Sequence, residues 1–118
     1  MSSYHQIFVQ TGETEQQFLD DLRSLVDADL KEVDHPGSVV KFGGYYDDSI
    51  FEVEIGHELD DDFGMDFSNY QIIVTIRELH SNNSLEERTA RNFCTKLHSR
   101  GGYKLLLVYD LQDLIASY

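Results

Sequence analysis

Apolar residues recur along this chain with two periods, and the switches between them lay out the fold. Residues 4–10 (Tyr4-His5-Gln6-Ile7-Phe8-Val9-Gln10) are short, rich in β-formers and closed by Thr11-Gly12, which predicts a first strand. The spacing then becomes helical: Phe18, Leu19, Leu22, Leu25, Val26 and Leu30 fall on one stripe, while Gln17, Asp20, Asp21 and Asp27 fall off it and face water. Thr14 with Gln17 makes a capping box at the start of this helix, and Glu13 and Glu15 sit where the helix dipole favours negative charge. His35-Pro36-Gly37 ends the helical region, because proline cannot continue it and glycine takes the turn.

Period two returns in the middle of the chain. Residues 39–42 predict a short strand, broken by Gly43-Gly44. Phe51, Val53 and Ile55 then alternate with Glu52 and Glu54, the pattern of a strand with one buried and one wet face. Residues 70–79 carry the longest strand signal: Tyr70, Ile72, Val74 and Ile76 share one side and Ile73 and Leu79 the other, which predicts a central, two-sided strand. After the turn Ser81-Asn82-Asn83, a second helix opens on a capping box of Ser84 with Glu87, buries Ala90, Phe93, Cys94 and Leu97, and stops at Gly101. Leu105-Leu106-Leu107-Val108 reads as a buried strand over residues 104–109, and Asp110 as the cap of a last short helical segment packing Leu111, Leu114 and Ile115.

The order is β-α-β-β-β-α-β. Two helices with single apolar stripes cannot cover both faces of a sheet, so they are expected on one face of a mostly antiparallel sheet of four to five strands, an α+β two-layer sandwich. If residues 39–42 only extend the next strand, the core reduces to β-α-β-β-α-β, a ferredoxin-like split βαβ arrangement. With 118 residues and no linker or repeat, the whole of 1–118 is read as one domain, large enough to bury a single core.

Charge changes this picture more than composition does. The net charge is −13, and it is uneven: residues 1–76 hold 17 of the 22 acids but only Arg23, Lys31 and Lys41 among the bases. Exposed positions on the second helix (Arg88, Arg91, Lys96, Arg100) make the one basic surface. Phosphate is repelled by such a chain, and the basic helix has no interleaved aromatics, so nucleic-acid binding is not expected. A single cysteine excludes an internal disulfide. No signal-peptide pattern and no stretch of membrane-spanning length is present, which gives the expectation of a soluble, cytoplasmic protein without membrane contact.

Candidate chemistry centres on residues 49–79, where two strands enclose a loop bearing Glu58, Asp60, Asp61, Asp62 and Asp66. Clustered carboxylates suit Ca²⁺ or Mg²⁺, but counting from Asp60 no glycine falls at the sixth position and no glutamate at the twelfth, so neither a metal nor another cofactor is expected. Gly43-Gly44 and Gly101-Gly102 fit no phosphate-binding spacing. Cys94 and His98 share a helix face as a thiol–imidazole pair, yet Cys94 also sits in the apolar stripe, where a free cysteine serves as a small core residue. No catalytic motif is present, and the chain is not expected to be an enzyme.

What remains is a binding surface. From Phe42 to Ile76 no Lys or Arg interrupts the acids, and Tyr45, Tyr46, Phe63, Met65, Phe67 and Tyr70 lie among them. Aromatics anchor interfaces while charges steer the encounter. The expected contact set is Glu58, Asp60, Asp61, Asp62 and Asp66, with Tyr45, Tyr46 and Phe63 as anchors, facing a basic protein partner. In size, acidity, α+β build and the stretches Phe51-Glu52-Val53-Glu54-Ile55 and Tyr70-Gln71-Ile72-Ile73-Val74, the chain resembles the small acidic immunity proteins that neutralise bacterial toxins, nuclease toxins among them. That resemblance implies a non-catalytic inhibitor whose acidic patch occupies the toxin's basic cleft. Two other readings stand beside it: a small-ligand domain or enzyme with a pocket between helix and sheet rimmed by His57 or His80, and a homodimer paired through exposed strand edges.

Overall fold

The computed structural model describes residues 4–26, 31–33, 40–46, 49–55, 61, 64–65, 67–80 and 82–118. The β-rich start is strand β1 (His5–Thr11), followed by helix α1 (Glu15–Val26), whose first turn is held by the Thr14 hydroxyl accepting from the Gln17 amide at 3.1 Å. Next come β2 (Lys31–Val33), β3 (Val40–Tyr46) and β4 (Ser49–Ile55). A short 3-10 turn (Phe67–Asn69) precedes β5 (Ile72–Glu78), helix α2 (Asn83–Ser99), β6 (Tyr103–Tyr109) and β7 (Asp113–Ser117).

All seven strands join one sheet in the order β2-β3-β4-β5-β1-β6-β7, and every neighbouring pair is antiparallel. At its centre, β4-β5-β1-β6 interlock as two split βαβ units: α1 lies between β1 and β4 in sequence, α2 between β5 and β6, and each of those strand pairs brackets a third strand. The ferredoxin-like arrangement is therefore the core. It forms although residues 40–46 are a strand in their own right, because β2 and β3 are added outside β4 and leave the centre undisturbed.

The α+β sandwich is present with seven strands where four to five were expected. One addition is β2, which follows the first helix. The other is β7, which replaces the expected terminal helical segment. Leu111, Leu114 and Ile115 have helical spacing, but Asp110 and Leu111 adopt left-handed backbone (φ 54 and 59), and the Gln112 amide donates to the Tyr109 carbonyl at 3.1 Å. Two consecutive positive φ values make a tight hairpin turn whose twist suits antiparallel strands, so the chain folds back along β6. Leucine has no preference for that conformation, which costs non-glycine residues about 1–2 kcal/mol. Leu111→Gly is accordingly expected to raise stability by about 0.5–1 kcal/mol after the extra chain entropy of glycine is set against the relieved strain, as read by urea denaturation.

Both helices pack on one face of the sheet. Phe18 and Leu22 of α1 and Phe93, Cys94 and Leu97 of α2 close over Ile7, Val9, Phe51, Val53, Val74, Ile76, Leu105 and Leu107. Phe51 meets Phe93 edge-on with ring centres 5.5 Å apart. α1 is tied to the start of β6 by the Tyr103 hydroxyl, which donates to Asp21 at 2.5 Å, and to the C-cap of α2 by Arg100, which donates to the Ser24 hydroxyl at 2.8 Å. The opposite face carries a second, smaller core of Phe8, Ile73, Leu106 and Val108, which Met65 and Phe67 cover. The strand expected over residues 70–79 is two-sided over its shorter observed length: Ile72, Val74 and Ile76 enter the first core and Ile73 the second. Tyr70, expected on the side of Ile72, precedes the strand and packs on the second core, and Leu79, expected beside Ile73, is exposed in the turn after it. Among the described residues, no helix is long and apolar enough to cross a membrane.

Candidate functional site

The acidic loop can be followed at one of its predicted contact acids. Asp61 is exposed, and its carboxylate accepts from the Ser68 amide at 2.9 Å and from the Ser68 hydroxyl at 2.7 Å. Those bonds hold its carboxyl below the ordinary carboxylate range. Because the shift is downward, this fastening stabilises the fold above the ordinary carboxyl pKa and is lost as pH falls through the lowered one. Asp61 therefore pins the loop to the 3-10 turn as well as lending it charge. Glu58, Asp60, Asp62, Phe63 and Asp66 lie outside the described residues, as does His57. Tyr45 and Tyr46 belong to β3, at the register positions opposite Ile50 and Ser49 of β4.

Several residues that the sequence groups with the acids are committed elsewhere. Met65 and Phe67 are buried, and the Phe67 ring stacks on Phe8 with centres 4.3 Å apart and planes 22° from parallel. Tyr70 packs against the same cluster. Glu52 is ion-paired with Arg77 of the neighbouring strand, and the Arg77 guanidinium also lies 5.4 Å over the Tyr4 ring. Arg91 of α2 bonds Glu87 at 3.0 Å, and Arg100 at its C-cap reaches Asp21 at 3.6 Å, so these two members of the expected basic surface face acids of the same chain. Burial pushes the Cys94 thiol up to about 12, with Arg91 offsetting only part of the effect, and the residue acts as core rather than as a nucleophile.

A second constellation is built around His5, which the sequence pattern leaves unremarked. Strand alternation places His5 on the same side as Ile7 and Val9, under the start of α2, where it is 2% exposed. Glu86 meets it there, also 2% exposed. One Glu86 oxygen accepts from the His5 backbone N–H at 2.8 Å and lies 2.6 Å from His5 Nδ1; the other accepts from the Glu78 amide at 3.0 Å. A buried carboxylate survives in the interior only when its oxygens are satisfied in this way, and the first turn of α2 adds a favourable dipole.

Why Glu86 is placed there follows from the true start of α2. Asn82, in extended conformation, is the N-cap, and its side chain accepts from the Leu85 amide at 3.1 Å. The helix thus opens two residues before the capping box expected at Ser84. Asparagine is among the strongest capping residues, and its own backbone is fixed because the Asn82 amide donates to Glu78 at 2.7 Å. Glu86 then falls four residues before Ala90 and eight before Cys94, on the buried stripe. A carboxylate in register with an apolar stripe, and a histidine in register with Ile7 and Val9, are the two signals by which the pair could have been found.

Over His5 opens a cleft of about 470 Å³, between α2 (Asn83, Glu87), the end of β6 (Tyr109) and β7 (Asp113, Ile115). The Tyr109 ring stands 4.9 Å from the imidazole, tilted by 57°, and its hydroxyl accepts from the Asn83 side chain at 3.1 Å. Nδ1 is committed to Glu86, so Nε2 is the ring nitrogen left toward the cleft. The cleft lies between helix and sheet and one histidine, His5, lines it; the pocket expected at His57 or His80 is a different one, and His57 lies outside the described residues. His80 sits in the exposed turn after β5, its amide donating to Glu78 at 2.8 Å. Among the described residues, no three His, Cys, Asp or Glu side chains group as a metal-ligand set. Comparison with family models, curated proteins and solved structures finds no match for this chain.

Proposed function

We propose that this protein acts by binding rather than by catalysis, as a cytoplasmic inhibitor that presents the acidic loop bearing Glu58, Asp60, Asp61, Asp62 and Asp66 to the basic cleft of a protein partner. The resemblance to immunity proteins makes a cognate bacterial toxin the partner, with nuclease toxins foremost because their substrate clefts are basic. The observation that supports this reading is how the positive side chains are used. Arg23, Arg77, Arg91 and Arg100 each stand against an acid of the same chain, so most of the net charge of −13 falls to the remaining, largely surface, acids. A surface of one sign raises the association rate of an oppositely charged partner by roughly 10–10³-fold, and the gain shrinks with salt.

The test is a pair of charge reversals that spares Asp61, since Asp61 also holds Ser68. Asp60→Lys with Asp62→Lys is expected to leave the circular dichroism spectrum and melting temperature intact. Association with the toxin encoded beside the gene should slow by roughly tenfold, and its dependence on ionic strength should flatten. Equal rates and equal salt slopes for the reversed and natural proteins would refute the acidic face as the docking surface.

A further inference from the structure

The cleft over His5 lies at the end of the sheet where β1 begins and β5 ends, whereas the connection from β4 to β5 that carries the acids leaves at the other end. Its chemistry is therefore independent of the acidic loop. His5 Nε2, the ring nitrogen that Glu86 does not use, has no hydrogen-bond partner among the described residues; the near oxygen of Glu87 stands 3.7 Å away. Glu87 commits its other oxygen to Arg91 at 3.0 Å, which leaves the near one directed to His5. Asp113 supplies a further exposed carboxylate across the cleft, and Tyr109 and Ile115 supply an aromatic and an aliphatic wall.

We propose that this cleft is a receptor for a primary ammonium group on an alkyl stem. Such a group has three N–H donors and one positive charge, and the cleft offers it three acceptors: His5 Nε2, Glu87 and Asp113. A stem of a few methylenes would lie against Ile115 and the Tyr109 ring, which also attracts a cation. Glu86 acts one step back, as a positioning residue: by accepting a hydrogen bond from Nδ1–H it fixes the ring with Nε2 toward the cleft as the acceptor. A neutral alcohol of the same length lacks both the charge and two of the three donors. A free alkylamine and a lysine side chain share this chemistry, and the experiment separates them.

The experiment is a carbon-detected titration of the His5 ring with n-propylammonium chloride, with n-propanol and zinc chloride in parallel. Propylammonium is expected to shift the His5 ring signals saturably, with a dissociation constant on the order of 1–10 mM, the range open to so small a ligand. Propanol should leave them in place. Glu87→Gln, at a side chain 40% exposed, should weaken the response by about tenfold, and Asp113→Asn by a smaller factor. An Nα-acetyl-lysine amide that binds more tightly than propylammonium assigns the site to a lysine of a protein partner; equal affinity assigns it to a free amine. No saturable shift, an equal response to propanol, an unchanged Glu87→Gln titration, or a response to zinc alone would each overturn the proposal.

Discussion

Glu86→Ala is expected to lower folding stability by about 3–5 kcal/mol, because it leaves three buried hydrogen-bond donors without an acceptor at about 1–3 kcal/mol each. The substitution strands the amides of His5 and Glu78 and the Nδ1 of His5 in a site from which water is excluded. Against a total of about 5–15 kcal/mol for a domain of this kind, that is a third of the stability or more. Glu86→Gln keeps the shape but turns an N–H₂ group toward a backbone N–H, and is expected to cost about 1–3 kcal/mol. Glu87→Gln, one residue away and 40% exposed, should cost about 0–1 kcal/mol. Urea denaturation followed by circular dichroism ranks the three. A Glu86→Ala midpoint equal to that of Glu87→Gln would show that the pair contributes nothing to holding β1, β5 and α2 together.

Phe67→Ala is the second large effect, at about 3 kcal/mol. Phe67 is 3% exposed and stacked on Phe8, and with Met65 it covers the sheet face opposite the helices. Its removal opens a path for water to Phe8, Ile73 and Leu106. The variant should bind an apolar fluorescent dye in its native state, which the natural protein should not. A stable, dye-silent variant would mean that the second core is sealed without this ring.

Both effects fall on residues whose importance the linear pattern shows only in part. The helices, the two-sided strand within residues 70–79 and the one-sided helical layer follow from periodicity, because burial imposes a period of 3.6 on helices and 2 on strands. β7 is missed because its short apolar series fits a helical turn as well as a strand, and two left-handed residues that are not glycine decide between them. Phe67 escapes the pattern for a related reason: in an irregular segment no period tells an inward ring from an outward one, and its neighbours in sequence group it with the interface aromatics. His5 and Glu86 do carry the right period, yet a charged residue on an apolar stripe reads as an interruption until a partner is placed opposite it. That partner lies 81 residues away in sequence and is brought into contact by the order of the sheet. Of the expected contact residues, Asp61 is described in full, and it has a task inside the fold besides its charge.

The central place of β1 has a consequence for how the chain reaches its native state. The strand partners of β1 are β5 and β6, which lie far along the chain, whereas β3, β4 and β5 can zip together through successive hairpins. Closing such long loops before any contact rewards them slows folding toward the millisecond-to-second regime of proteins dominated by non-local pairing. During synthesis β1 emerges first and waits, with Ile7, Phe8 and Val9 unshielded, until the strand that completes its second edge has left the ribosome. Pulsed hydrogen exchange should accordingly protect the β3–β4 hairpin early, and the amides of β1 and β6 together in the last phase.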